Sequence, residues 1–219
     1  MFGKSPVSNT LLDRIIKIFF LSICVSLLCG VTLAAIESPW ELKRNEQGIR
    51  VYTRPVAGSP LLEFRGETIV NVPVEKATAF YERENELTEW FHRSKESKLI
   101  KKISDTESLL YLAADLPWPF FDRDGIYRRV KSVDPATGAV IYELHSAPDI
   151  YPPQKNRVRI LYLNAEWRFT PLPDNRTQVN YRTHTAPGGY IPPLLLNRFV
   201  VSIPFKTLLK FRAQVNNSR

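Results

Sequence analysis

Cysteine is almost absent from this chain of 219 residues: there are two, Cys24 and Cys29, and both lie within the first 34 positions. The remainder therefore has no disulfide, no thiolate nucleophile and no cysteine-ligated metal, and packing alone must hold it together. Histidine is also scarce, with three residues, His92, His145 and His184, in separate segments. There is no HExxH pair, no GxSxG elbow and no glycine-rich phosphate loop. Nothing sets a nucleophile beside a base. The expectation is a protein that is not an enzyme and carries no cofactor and no metal.

Long apolar runs are likewise missing, with one exception at the N-terminus. Lys4, Arg14 and Lys17 lead into Ile18–Phe20 and then "LSICVSLLCGVTLAA". A basic stretch, an apolar stretch and small residues in that order read as a signal peptide over residues 1–34. Thr32 and Ala34 fall at −3 and −1 of a cut before Ala35. Left uncleaved, the run just reaches the length of a membrane span and would act as an anchor. Ile23 and Leu28 precede the two cysteines, where lipid attachment would want a small residue. The protein is thus expected to be exported, periplasmic or secreted, with residues 35–219 forming a single domain large enough to bury a core. The formal charge of +8 falls to about +6 without the leader, which takes three basic residues and one acidic residue with it. A mild, dispersed positive excess suits a surface that visits anionic lipid headgroups. Export argues against nucleic acid as a partner.

Short strand patterns fill the middle of the chain. "GIRVYTRPV" (48–56) and "LLEFRGETIV" (61–70) read as a hairpin around "AGSP". Pro73 opens a helix, "VEKATAFYERENELTEW", with Ala77, Phe80 and Tyr81 on one face. "KLIKKIS" and "ESLLYLAADL" follow around "DTE", then "GIYRRVKSV" and "AVIYELHSA" around "DPATG", then "NRVRILYLNAEWRFTPL" and "RTQVNYRTHTA" around "PDN". About eight strands at hairpin spacing make an antiparallel sheet. After "PGGY", "IPP" sets up a last helix in which Leu196, Phe199, Val200, Ile203, Leu208, Phe211 and Val215 recur at three- and four-residue steps. About 24 residues at 1.5 Å each span about 36 Å, enough to cross a sheet. Pro204 inside it predicts a kink or local opening. The fold class is α+β: a curved antiparallel sheet wrapped around a long C-terminal helix, with an apolar space between them.

These segments carry a family likeness. "LPWPFFDRDGIYRRV" resembles the P-x-P…RD strand start of START domains, the lipid-transfer domains related to the steroidogenic acute regulatory protein. "NAEWRFTPL" resembles their later G-x-W-x-x-x-P strand end. "APGGYIPPLLLNRFV" resembles the PGG motif that begins their last helix, and "GIRVYTRPV" and the tryptophan of "ELTEW" fit as well. The resemblance covers about residues 40–215. It implies a helix-grip fold with an apolar tunnel holding one lipid, such as a phospholipid or sterol, that the protein carries between membranes. It also implies a monomer that meets a membrane surface transiently. The wider superfamily includes cyclase-like and hydrolytic enzymes, and a membrane-tethered lipid sensor is a further reading.

In the segment "DLPWPFFDRDGIYRRV" (115–130), Pro117 and Pro119 exclude a central paired strand, so the segment bends between strands. Asp122 and Asp124 flank Arg123 and read as a structural turn pair. Side chains alternate along a strand, so Tyr127, Arg129 and Lys131 share a face. By resemblance, Arg129 falls where family members place a tunnel arginine. The acid that pairs with it in those members is replaced here by Ala113, and Asp115 is the substitute on the same face. An arginine facing an apolar tunnel needs a partner, because an isolated buried charge costs several kcal/mol. Arg129 is then either half of a buried pair or a contact for a ligand headgroup. The ligand-binding set is Arg129, Tyr127, Asp115, Trp118 and Trp167, with Leu195, Phe199, Ile203 and Leu208 on the last helix.

Overall fold

The computed structural model describes residues 38–218. The leader assigned to residues 1–34 lies outside the described residues. The chain opens with β1 (Glu41–Glu46), β2 (Ile49–Val56) and β3 (Ser59–Val70). The expected hairpin joins β2 to β3, with Gly58 at φ +74° in the turn, a backbone region natural to glycine. After a helical stretch come β4 (Ser94–Lys102), β5 (Glu107–Ala114), β6 (Asp122–Val133), β7 (Val140–Ser146), β8 (Arg157–Arg159), β9 (Tyr162–Leu172) and β10 (Arg176–Ala186). The sheet order is β1-β2-β3-β10-β9-β7-β6-β5-β4, with β8 alongside β6. Pairing is antiparallel except for the short β6–β8 ladder.

Among the described residues, ten strands stand where about eight were expected. β1 escaped notice because "ELKRNE" is an edge strand, exposed on nearly every residue, with no apolar alternation to read. "NRVRILYLN" is two strands, not one. Its first part pairs with β6, where Asp124 stands beside Arg159, and its second pairs with β7 and β10. The chain changes neighbour at Ile160, whose N–H donates to the Asp124 carbonyl at 2.7 Å.

The early helix is also shorter than its pattern predicts. α1 (Val74–Tyr81) buries Ala77, Phe80 and Tyr81 as expected. A 3₁₀ turn (Glu84–Glu86) and a one-turn α2 (Leu87–Trp90) then replace the continuation. The break lets two carboxylates turn toward the sheet. Glu82 accepts from Lys131 Nζ at 2.9 Å and from the Tyr142 hydroxyl at 2.7 Å, and Glu84 pairs with Arg129.

α3 (Pro193–Asn217) has 25 residues and runs through Pro204 without ending there. Gly66 on β3 permits its close approach: a Cβ on that residue would stand 2.7 Å from Leu208 Cδ1 and 3.3 Å from Pro204 Cβ. Phe205, Leu208, Phe211 and Val215 are buried against the sheet. Phe211 meets the Trp90 ring edge-on at 5.1 Å, and Trp167 stacks on Tyr181 at 4.2 Å. The C-terminal half of the helix thus closes the core, and its first half covers something else. This is the expected α+β helix-grip architecture.

Candidate functional site: an apolar cavity beneath the last helix

Under the first half of α3 lies a cavity of about 230 Å³. Its helical wall is Leu196, Phe199, Val200 and Ile203; Trp90, Trp167 and Tyr181 line it from beneath, and β6 contributes Arg123, Tyr127 and Arg129. Most of the lining is aliphatic or aromatic, as in ligand pockets generally.

Five of the nine residues proposed from sequence line this space: Tyr127, Arg129, Trp167, Phe199 and Ile203. Four do not. Trp118 is 92% exposed, because the proline-rich β5–β6 loop turns it outward. Leu208 is spent on the core contact with Gly66. Leu195 is half-buried, one step around the helix from the lining residue Leu196. Asp115 does not reach Arg129; its carboxylate pairs with Arg93 at 3.0 Å, and its carbonyl accepts from Arg93 Nε at 3.1 Å.

Arg129 faces the cavity in the register expected, but its partner comes from an unexpected place. Its Nη2 stands 2.5 Å from Glu84 Oε1, with the two side chains 11% and 16% exposed. Its guanidinium also lies 5.9 Å and 5.8 Å from the ring centres of Tyr81 and Tyr142. Glu84 belongs to a stretch that reads as the charged face of a helix, so nothing in the sequence marked it. Beside it, burial pushes the Glu82 carboxyl up. Hydrogen bonds from Lys131 and Tyr142 and the charges of Lys131 and Arg129 outweigh that and hold it below its usual range. Burial raises the Tyr127, Tyr81 and Tyr181 phenols, so all three stay neutral at physiological pH.

At the start of β6 the expected Arg123–Asp124 turn pair does not form. Adjacent strand residues point to opposite faces, and each finds other partners. Asp124 takes a two-pronged bond from Arg159, at 3.0 Å to Nε and 2.9 Å to Nη2. Arg159 also donates to the carbonyls of Pro148, Tyr151 and Pro152. Arg123 donates to the carbonyls of Phe121, Pro187 and Gly188, at 2.6, 3.2 and 2.9 Å. These two arginines gather the β5–β6, β7–β8 and β10–α3 loops at one end of the cavity.

Comparison with known proteins agrees with this geometry. Residues 33–219 match the family pattern described as the START domain. This chain belongs to the START domain family. A STAR-related lipid transfer protein from Xanthomonas axonopodis, solved as a fragment, is 35% identical with a TM-score of 0.76, covering 81% of this chain and 99% of that one. Human StAR-related lipid transfer protein 5 shares the fold at 17% identity, with a TM-score of 0.74 over 95% of this chain and 98% of its own. The uncharacterized protein PA1579 of Pseudomonas aeruginosa is 33% identical over 193 residues, 88% of this chain and 95% of its own length. In this START domain, sequence reasoning missed Arg123, Tyr81 and Tyr181 as cavity-lining residues and Glu84 as the partner of Arg129. Arg123 was in plain view within the RD motif, but its three backbone acceptors lie up to 65 positions away.

Proposed function

We propose that this protein is an exported, monomeric lipid carrier that holds one lipid in the cavity beneath α3 and exchanges it with membranes, without catalysis. The observation that carries the reading is the cavity itself: an apolar space walled by a helix whose first half makes little of the core. Membership of the START family and the lipid-transfer relative from Xanthomonas axonopodis support it.

Exchange needs a docking face and a moving lid. Trp118 and Phe121 on the β5–β6 loop are 92% and 64% exposed, Tyr190 on the β10–α3 loop is 90% exposed, and Leu194 in the first turn of α3 is 74% exposed. Aromatic side chains favour a bilayer interface. Arg198, Lys206 and Lys210 are exposed on α3 and suit an anionic surface. The lid is the first half of α3, hinged where Gly188 and Gly189 take φ of +68° and +64°. A cavity of about 230 Å³ is just below the usual ligand-pocket range of about 300–1,000 Å³, so loading a whole lipid requires the lid to shift.

The test is native mass spectrometry of the protein purified from its own host, followed by a vesicle-to-vesicle transfer assay. A discrete bound lipid and accelerated transfer are expected. A protein that is empty and takes up no lipid of any class would refute the reading.

A further inference from the structure

Two arginines stand on the cavity face of β6, at positions 123 and 129, about 20 Å apart at 3.3 Å per residue. They differ in one respect that matters for a ligand. Arg129 is neutralised by Glu84. Arg123 is 4% exposed and, among the described residues, has no carboxylate partner. The acids adjacent to it in sequence are both engaged elsewhere: Asp122 with Lys95 at 2.8 Å, and Asp124 with Arg159. Three of the five guanidinium N–H groups meet backbone carbonyls, which leaves two without a partner among the described residues. Carbonyl dipoles orient a buried cation without cancelling its charge, and an uncompensated buried charge is costly.

Space and a second donor adjoin it. Gly189 carries no side chain where a Cβ would stand 3.2 Å from Arg123 Nη2, so that edge of the guanidinium stays open. Tyr127, two strand positions from Gly125, folds its ring back over that glycine, toward the Arg123 end of β6. Its hydroxyl makes no hydrogen bond among the described residues, although the residue is 3% exposed and lines the cavity. A buried cation without a counter-ion and a buried hydroxyl without an acceptor thus face one apolar space. The chemistry that suits both is an anionic oxygen acid, carboxylate or phosphate, which accepts from guanidinium N–H and phenol O–H alike.

Resting on the lipid-carrier reading, we infer that the cavity selects acidic lipids, with the carboxylate or phosphate seated between Arg123 and Tyr127 and the acyl chain running along β6 toward Arg129. The paired Arg129 is then a wall of the chain site, not the headgroup contact that the sequence singled out. Two of the three carbonyls holding Arg123 belong to Pro187 and Gly188, at the hinge of α3, so a bound anion also braces the closed lid.

The test uses matched pairs that differ only in the anion. Full-length protein, stripped of lipid, is incubated with neutral vesicles containing equal amounts of oleate and oleyl alcohol, or of phosphatidic acid and diacylglycerol. It is then re-isolated, and its bound lipid is quantified by mass spectrometry. The wild type is expected to retain the acid over its neutral partner by at least tenfold. Which pair shows the preference tells a carboxylate site from a phosphate site. Arg123→Gln should bring the ratio close to one, and Tyr127→Phe should lower it about threefold. Should Arg123→Gln fail to fold, the wild-type ratio and the Tyr127→Phe ratio decide the matter, because that hydroxyl has no internal bond to lose. Equal retention of acid and neutral partner by the wild type overturns the inference and leaves lipid carriage standing. Retention of neither overturns the inference, and lipid carriage falls with it only if the native mass spectra and uptake of every other lipid class are empty too.

Discussion

At the scale of single residues, the cavity is governed by how each buried charge is answered. Arg129 and Glu84 form a nearly buried pair, so removing one partner strands the other. Glu84→Leu should destabilise the domain by about 3 kcal/mol, read from the shift in urea midpoint. The double variant Glu84→Leu/Arg129→Met should recover most of that loss, because two apolar side chains leave no charge to strand. Equal losses in the single and double variants would show that the pair does not matter as a pair. Glu82 adds a pH dependence. Its folded-state carboxyl titrates below the usual value of 4.5, so ionisation stabilises the fold. That contribution is complete above the unfolded value and fades as pH falls through the folded one. Urea midpoints measured from pH 7 down to pH 3 should drop on acidification, and the drop should be shallower in Glu82→Gln.

At the scale of elements, α3 is one helix with two jobs. Its C-terminal half is anchored by packing, most closely at Gly66, where β3 must be bare. Gly66→Val should cost about 1–3 kcal/mol through overpacking against Leu208 and Pro204, measured by thermal or urea unfolding. Its N-terminal half has few ties. One of them is the Leu62 N–H donating to Asn197 Oδ1 at 3.3 Å, a bond between that half of the helix and the sheet. Asn197→Ala should speed lipid exchange severalfold while lowering global stability by no more than about 1 kcal/mol. Hydrogen exchange confined to residues 187–200 would report the loosened lid. A uniform rise across α3 would mean that the two halves do not move separately.

At the scale of the whole molecule, loops from distant parts of the chain converge on one end of the cavity and present large apolar side chains to solvent. Docking there should be separable from folding. Trp118→Ser together with Tyr190→Ser should cut transfer between vesicles by about tenfold with an unchanged urea midpoint, since neither side chain is buried. Unchanged transfer would move the docking face elsewhere. Raising salt should weaken transfer from anionic vesicles more than from neutral ones, by screening Arg198, Lys206 and Lys210.

The local patterns were enough to read much of this protein. Alternation marked most of the strands, and turn residues marked the hairpins. The three- and four-residue spacing marked α3, and period two put Tyr127 and Arg129 on one face of β6. Each of these depends only on neighbours along the chain. Tertiary structure decided what depends on partners far apart in sequence. It split "VEKATAFYERENELTEW", turning Glu82 to Lys131 and Tyr142 and Glu84 to Arg129 on the sheet. It set the C-terminal half of α3 against the sheet at Gly66 and left the first half over the cavity. It gave Asp115 to Arg93, turned Trp118 to solvent, and left Arg123 among carbonyls with no acid. A side chain's face follows from local geometry, but the charge that answers it is set by which strands and loops the fold brings alongside.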